Sequence, residues 1–146
     1  MHSREKELGD LVMMVARSMR RRHVAALEPF GLSPSHARAL RVLENADAPM
    51  RPGDLAERLR IAPRSATDVV DALESAGYAR RSADATDRRA VLLELTDDGR
   101  SLTASIVDAQ RRASDRMFAV LDQEDRVRLA EILTRINDES GAKTIA

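Results

Sequence analysis

Apolar residues recur at helical spacing along most of the chain. Between residues 4 and 28 they follow a period close to that of an α-helix, which predicts a long amphipathic helix ended by the sequence EPFG at residues 28–31. Ser33 followed by Pro34 is typical of a helix start, because Ser caps backbone amides and Pro fits the first turn. The apolar positions that follow predict a second helix over about residues 34–45.

The middle of the chain predicts two short helices joined by a tight turn. Leu55, Ala56 and Leu59 form the apolar face of the first. The second begins near Pro63, and Gly77 follows it where a left-handed residue commonly ends a helix. The apolar positions of the second helix are Ala66, Val69, Val70 and Leu73. This arrangement is a candidate helix-turn-helix.

The apolar period then changes from helical to alternating. Val91, Leu93 and Leu95 alternate with polar residues, which predicts a half-buried strand, and a polar turn around residues 84–88 separates it from the preceding segment YARRSA. Thr96 is suited to cap the helix that follows, whose acidic first turn complements the helix dipole. The predicted hairpin therefore stands directly after the helix-turn-helix.

Two further helices are predicted at the C-terminal end. The apolar positions of the first are Leu102, Ile106, Ala109, Ala113, Met117 and Val120. The second starts after Asp122 and has an apolar face formed by Leu129, Ile132, Leu133 and Ile136. The last residues, NDESGAKTIA, are expected to fray. The predicted fold class is mainly α with a small β-hairpin wing, a winged helix-turn-helix flanked by helices from both ends.

The composition of the chain excludes several classes of protein function. The 146 residues, 43% hydrophobic and 33% charged, have room for one core, so residues 1–146 are expected to form a single domain. The 24 basic and 24 acidic residues cancel, so any nucleic-acid interface depends on local charge. Absence of cysteine excludes disulfides, thiolate metal sites and thiol redox sensing. Without a leader or a membrane span, a cytoplasmic protein with no membrane partner is expected.

Signals of catalysis or metal binding are missing from the sequence. It contains no phosphate loop and no nucleophile elbow, and its acidic clusters lie on predicted helix faces and caps, so no catalytic residues and no enzymatic activity are expected. The histidines His2, His23 and His36 are far apart and lack carboxylates at ligand spacing. We therefore expect no metal site and no cofactor.

Three strings carry a family resemblance. DLAERL, SATDVVDALESAGYARR and TDRRAVLLELTDDGR resemble, in order and spacing, the helix-turn-helix, recognition helix and wing of the multiple antibiotic resistance regulator (MarR) family. The resemblance covers roughly residues 5–138 and is most specific from Leu55 to Arg100. It implies a homodimeric transcription regulator, usually a repressor, and a symmetric dimer predicts an inverted-repeat operator in double-stranded DNA. It assigns about residues 4–30 and 97–138 to dimerisation, 34–96 to DNA binding and 139–146 to a flexible tail.

The opening turns of the recognition helix are expected to contact bases and phosphates. The candidates are Pro63, Arg64, Ser65, Thr67 and Asp68. Arg64 is the best base-reading candidate, because a guanidinium can bind guanine O6 and N7 together in the major groove. Asp68 departs from the family, which more usually has a basic or small residue there. It could pair with Arg64, accept from cytosine N4, or limit nonspecific affinity.

At the predicted wing tip, Asp87 and Arg89 match the Asp-x-Arg motif of the family. The resemblance implies that Asp87 holds the Arg89 side chain by a charge-assisted bond, so that Arg89 enters a minor groove already oriented. Arg88 is expected on the other hairpin face as a phosphate contact. The alternative is a solvated charged turn with an internal Asp87–Arg89 pair. Further backbone candidates are Arg51, Arg80 and Arg81.

The resemblance also implies a small organic effector, phenolic or carboxylate-bearing, in a cleft between the dimerisation helices and the DNA-binding lobe. The expected cleft residues are Met13, Met14, Arg17, His36, Leu40 and Ile106. His36 stands where the family often has Gln and could bond a ligand. The rival interpretation is a winged helix that serves as a protein-interaction or architectural module without specific operator binding, which the zero net charge favours.

Overall fold

The computed structural model describes the backbone of residues 2–142 and the side chains of residues 7–140. Over this range the elements are α1 (His2–Ala25), α2 (Pro34–Glu44), α3 (Pro52–Leu59), α4 (Pro63–Ser75), β1 (Ala79–Ala83), β2 (Val91–Leu95), α5 (Asp97–Met117) and α6 (Gln123–Ala142). Single 3-10 turns lie at Glu28–Phe30 and Phe118–Val120. The fold is mainly α with one antiparallel hairpin, which confirms the predicted fold class.

Helix starts follow the capping residues. Ser33 Oγ accepts from the His36 amide at the start of α2, and Thr96 Oγ1 accepts from the Gly99 amide, 3.1 Å away, at the start of α5. Asp122 accepts from the Asp125 amide at 2.8 Å and caps α6. These bonds satisfy amides that have no partner inside the helix, as the sequence predicts.

The end of α4 is set by Gly77. Its φ of +81° is a left-handed conformation that glycine adopts without steric cost. The Gly77 amide donates to the Glu74 carbonyl (2.9 Å) and the Tyr78 amide donates to the Leu73 carbonyl (2.9 Å). The chain therefore leaves α4 through a Schellman turn and enters β1 directly.

The central lobe, residues 34–96, encloses most of the core. The predicted inward residues of α3 and α4 are all buried, and the most deeply buried large side chains are Leu40, Leu55, Leu59, Val70, Leu73, Leu93 and Leu95. In β1 and β2, Ala79 pairs with Leu95 and Ala83 with Val91. Burial of these side chains fixes the orientation of α4 and of the hairpin relative to α2 and α3.

A third, very short strand segment extends the hairpin. The Met50 amide donates to the Leu93 carbonyl at 2.9 Å, and the Leu93 amide returns a bond to the Met50 carbonyl at 2.7 Å. Apolar periodicity gives no sign of this pairing, because Met50 lies alone between a turn and Pro52. It ties the segment before α3 to the middle of β2.

The terminal helices leave their apolar faces uncovered in the single chain. The α1 helix packs on α5 near its C-terminal end, whereas α6 packs little against the rest of the described chain. Leu8 on α1 is 61% exposed and Ile136 on α6 is 52% exposed. Other exposed apolar residues on these helices are Leu11, Val12, Met13, Met14, Val15, Val127, Ile132 and Leu133. In residues 2–142 no helix is long and apolar enough to cross a bilayer.

Three predicted boundaries are corrected by the structure. The first helix ends at Ala25, because a separate 3-10 turn precedes Gly31. Val120 was expected on the stripe of α5 but lies beyond the helix end and is 87% exposed. The α6 helix continues to Ala142 through residues expected to fray, since each added residue contributes one more helical bond. Residues 143–146 of the expected tail lie outside the described range.

Candidate nucleic-acid interface

The outer face of α4 is exposed along its opening turns. Arg64, Ser65, Thr67 and Asp68 all lie on the surface, opposite the buried side chains of the same helix. Pro63 occupies the first helical position, after Ala62 in an extended conformation that provides no side-chain cap. No side chain caps the amides of this first turn, so their N–H groups can donate to an anion such as a phosphate.

Of the polar side chains on this face, Thr67 is engaged within the helix whereas Arg64 is not. The Thr67 hydroxyl donates to the Pro63 carbonyl at 3.0 Å, so its hydrogen is already used within the helix. Among the described side chains, no ion pair joins Arg64 to Asp68, although the sequence allowed one. Arg64 is therefore free to contact another group.

The hairpin tip is a tight turn that carries both arginines of the pair. The Ala90 amide donates to the Asp87 carbonyl at 3.0 Å, which makes Arg88 and Arg89 the central residues of a β-turn. The Asp87 carboxylate accepts from the Arg89 backbone amide at 3.0 Å. Asp87 thus organises the backbone of the turn.

This geometry corrects two expectations about the tip. The resemblance implied that Asp87 holds the Arg89 guanidinium, but the contact runs to the Arg89 amide, because an Asx turn places the carboxylate over the backbone two residues later. Strand alternation was expected to separate Arg88 from Arg89. The strands end at Ala83 and resume at Val91, so alternation does not extend to the tip.

The base of the hairpin loop is organised by Asp84, whose role is not apparent from the sequence. Its Oδ1 accepts from the Thr86 amide (2.9 Å) and hydroxyl (2.8 Å), and its Oδ2 accepts from Arg51 (3.1 Å). These bonds, the Thr86 amide first, lower the pKa of Asp84 below its ordinary value because they stabilise the carboxylate. Asp84 thereby links the loop to the start of α3.

Arg81 links the hairpin to α4. Its guanidinium donates to Asp71 (2.6 Å) and Glu74 (2.7 Å), and its backbone amide donates to Glu74 (3.2 Å). The hydrogen bond with Asp71 is the main cause that raises the pKa of Arg81, because the carboxylate stabilises the cation. On the opposite face of β1, Arg80 pairs with Glu94 at 2.7 Å, directly across the hairpin.

The arginines of the central lobe that are candidates for DNA contact thus fall into two groups. Arg51, Arg80 and Arg81, the expected backbone contacts, form ion pairs with carboxylates of the same chain; Arg64, Arg88 and Arg89 form none among the described side chains. In the first group a carboxylate already neutralises part of the charge that a phosphate would meet, whereas the second group offers its full charge. The unpaired arginines are therefore the stronger candidates for contact with a nucleic acid.

The expected effector residues are not brought together. Leu40 is 0% exposed and Ile106 is 3% exposed, both within the core. His36 contacts Ser33 at the start of α2, and Met13 and Met14 lie on the exposed face of α1. Burial excludes Leu40 and Ile106 from ligand contact, because core packing already occupies their surfaces.

A groove does lie between α1, α2 and α5, where the cleft was expected. Its volume is about 670 Å³, and its lining residues are Ala16, Met19, Arg20, His23, Val24, Leu27, Pro34, Ala37, Arg38, Arg41 and Gln110. We call it the interhelix groove. Arg17 belongs to a neighbouring shallow depression beside Glu28. The described lining has an apolar floor and three arginines but no carboxylate, which suits an anion with an apolar body.

Polar contacts cross this groove. Arg41 donates to Gln110 Oε1 at 2.6 Å, and the Gln110 amide donates to the His23 carbonyl at 3.4 Å. His23 Nε2 lies 2.8 Å from Ser114 Oγ on α5. Among the described residues, no three His, Asp or Glu side chains are grouped as metal ligands; the His2 side chain lies outside them.

Comparison with known sequences identifies a protein family and related transcriptional regulators. The model of the MarR family matches residues 30–90. An HTH-type transcriptional regulator of Mycobacterium tuberculosis is 33% identical over 141 residues, which cover 92% of each chain. The similarity thus extends over the central lobe and both terminal regions.

Solved structures share the fold. A MarR family protein from Bacillus stearothermophilus superposes with a TM-score of 0.81 at 20% identity, covering 97% of this chain and 98% of that one. A mutant of MepR from S. aureus, bound to an oligodeoxyribonucleotide, superposes with a TM-score of 0.72 at 19% identity, covering 90% of this chain and 96% of that one. The arrangement of helices and hairpin described above is therefore one that known structures adopt.

Proposed function

The chain belongs to the MarR family of transcription regulators, and from this premise we propose that it is a homodimeric repressor of double-stranded DNA operators. The observation that carries the proposal is the unpaired state of Arg64, Arg88 and Arg89, all exposed on the two elements that winged helices use for DNA. The oligonucleotide complex of the similar MepR chain supports this use of the fold.

In this proposal α4 lies in the major groove. Arg64 projects from its first turn and binds a guanine edge, while the uncapped amides of the same turn face a phosphate. Replacement of Arg64 by Ala is expected to relax base preference at one position of each half-site. Binding measured on a panel of operator variants tests this role, and an equal loss on all sequences would make Arg64 a phosphate contact.

The tip of the hairpin provides the second DNA contact. Arg89, on a turn whose backbone Asp87 stabilises, enters the minor groove, where a narrow A·T-rich groove attracts a guanidinium. Arg88, the other central residue of the turn, neutralises a phosphate. A rigid turn places both cations with little loss of backbone entropy on binding.

A titration of DNA binding against salt tests the assignment of the wing. The DNA is the intergenic segment upstream of the chain's own gene, with competitor DNA present. Arg89→Ala is expected to weaken specific binding and lower the slope of log affinity against log salt by about one unit. Arg80→Ala, which removes an ion-paired cation from the same hairpin, is the matched control and should leave that slope nearly unchanged. Equal slopes for wild type and Arg89→Ala would contradict the minor-groove role.

The dimer in this proposal is formed by the terminal helices. Their exposed apolar residues, on α1 and α6, would be covered by the same helices of a second copy. A two-fold symmetric pair would present two copies of α4, which calls for an inverted repeat with half-sites about one helical turn apart.

The interhelix groove is the proposed effector site. It lies where the helices of the proposed dimer layer meet the central lobe, so a ligand there can alter their relative position. Its arginines favour a small carboxylate-bearing compound, and the scarcity of aromatic lining gives no preference for an aromatic body. Occupancy is expected to lower DNA affinity and so relieve repression.

A further inference from the structure

Arg38 connects the interhelix groove to the helix-turn-helix. The residue lies on α2 and lines the groove, and its Nη2 donates to the Leu59 carbonyl at 2.9 Å. Leu59 is the last residue of α3, and its side chain is buried in the core. One side chain therefore reaches from the proposed effector site to the corner between α3 and α4.

The carbonyl that Arg38 binds lies at the end of α3, next to an unfavourable backbone conformation. The last carbonyls of a helix have no helical partner, and the next residue, Arg60, has a φ of +54°, a left-handed conformation that is unfavourable for a residue with a side chain. The Arg60 and Ile61 amides turn back onto the Glu57 and Ala56 carbonyls, each at 3.1 Å. The bond from Arg38 completes this corner, and α4 begins shortly after it.

The three arginines of the groove differ in what they already bind. Arg20 has no carboxylate or hydrogen-bond partner among the described side chains, Arg41 donates to Gln110, and Arg38 donates to Leu59. The acceptors on Gln110 and Leu59 are neutral oxygens. A carboxylate is a stronger acceptor for a guanidinium than a neutral carbonyl, so an anion in the groove would compete for Arg38.

We propose that Arg38 is the positioning residue that couples the interhelix groove to the DNA-binding helix. An anion in the groove draws the guanidinium away from the Leu59 carbonyl, and the corner that orients α4 loosens. The inference rests on the proposed function only in that it requires an anion to occupy the groove. A ligand shifts a conformational equilibrium only when it binds one state more tightly than the other. Here the anion binds Arg38 in the state in which Arg38 has left the Leu59 carbonyl, and so it favours that state.

The direct link is tested without any ligand by hydrogen exchange on the full chain. Arg38→Met keeps the apolar stem but removes the donor, and we expect the Arg60 and Ile61 amides to exchange at least about fivefold faster, with weaker DNA binding. Arg20→Met, an arginine removed from the same groove, is the control and should leave these two amides unchanged. Unchanged exchange in a folded Arg38→Met chain would overturn the proposal.

The coupling is tested with benzoate as the anion and benzamide as its neutral counterpart, at constant ionic strength. Benzoate bound to the wild-type chain should speed exchange of the Arg60 and Ile61 amides and lower DNA affinity by at least about fivefold, whereas benzamide should do neither. In Arg38→Met, benzoate should change neither quantity further. The benzoate measurement on the wild-type chain involves no substitution, so its result does not depend on whether Arg38→Met folds.

The outcomes separate the two proposals. Benzoate that binds the groove, as shown by calorimetry and weakened by Arg20→Met, but leaves the corner amides unchanged would overturn the role of Arg38. Failure of benzoate to bind would instead count against the carboxylate effector of the proposed function, and the exchange of the ligand-free Arg38→Met chain would still decide whether Arg38 holds the corner.

Discussion

The central lobe and the terminal helices are built from similar apolar stripes, but only the lobe covers its own. Leu55 in α3 is 0% exposed, whereas Leu8 in α1 and Ile136 in α6 are more than half exposed. Periodicity identifies a helix with an apolar face in both regions. The difference shows that the same pattern corresponds to a packed core in one region and to an exposed apolar surface in the other.

The largest effect is expected in the lobe. Leu55→Ala should lower the free energy of unfolding by about 2–5 kcal/mol, because it leaves a cavity in a packed core. Urea denaturation followed by circular dichroism measures this loss. The comparison variant is Leu133→Ala on α6, measured at low protein concentration. Its exposed side chain should contribute far less to the free energy of unfolding. Similar losses in the two variants would remove the contrast between the regions.

The next effect concerns association through the terminal helices. Ile136→Glu places a charge on the exposed apolar face of α6, and we expect the dissociation constant of the proposed dimer to rise at least about a hundredfold, equivalent to about 2.7 kcal/mol. Light scattering coupled to gel filtration follows the mass across a dilution series. Arg135→Glu introduces the same side chain beside that face and is the control. A dimeric Ile136→Glu chain would place the interface elsewhere.

A smaller effect is expected where the two regions join. A Cβ at Gly99, in the first turn of α5, would lie 2.0 Å from the Tyr78 carbonyl oxygen, which is itself bonded to the Thr96 amide. Gly99→Ala should therefore cost about 1–3 kcal/mol of unfolding free energy, since backbone must shift. Gly53→Ala in α3, where the added Cβ would meet no described atom within 4 Å apart from the adjoining residues and the helix's own backbone, is the control in the same denaturation experiment. Equal stability of wild type and Gly99→Ala would contradict this packing.

The smallest effect concerns pH and the hairpin loop. The pKa of Asp84 is lower in the folded chain than its ordinary value of 3.8, so the folded loop favours the carboxylate. Its contribution is present above the ordinary value and is lost as pH falls through the lowered pKa. NMR shifts of the Asp84 carboxyl carbon and the Thr86 amide should follow this titration together. In Asp84→Asn the Thr86 amide should lose that transition; its persistence would assign the transition to another group.

Local chemistry explains why much of the lobe was predictable. Ser33, Thr96 and Asp122 cap the helices expected of them, and Gly77 ends α4 in the left-handed conformation. Capping and turn preferences depend on a few neighbouring residues, so one sequence contains the information. The exposed opening turns of α4 follow in the same way, because the spacing of its buried residues determines which side chains remain outside.

The roles of the arginines were less predictable. Arg51, Arg80 and Arg81 have the residue type of phosphate contacts, yet each is held by a carboxylate that the fold brings near. For Arg51 and Asp84 the partners are 33 residues apart. The residues of the effector cleft were equally hard to predict. The groove lies between the expected helices, but Leu40 and Ile106 are buried and do not line it.

The sequence by itself determined the elements, their order, the caps and the inward faces of α3 and α4, and it identified the family. These features depend on interactions over a few residues, or on a period that can be counted along the chain. Tertiary structure alone decided which arginines remain unpaired, that Gly99 touches Tyr78 and that Arg38 reaches Leu59. Such contacts join groups whose separation is set by the packing of whole helices, and the residue types at either end do not specify it.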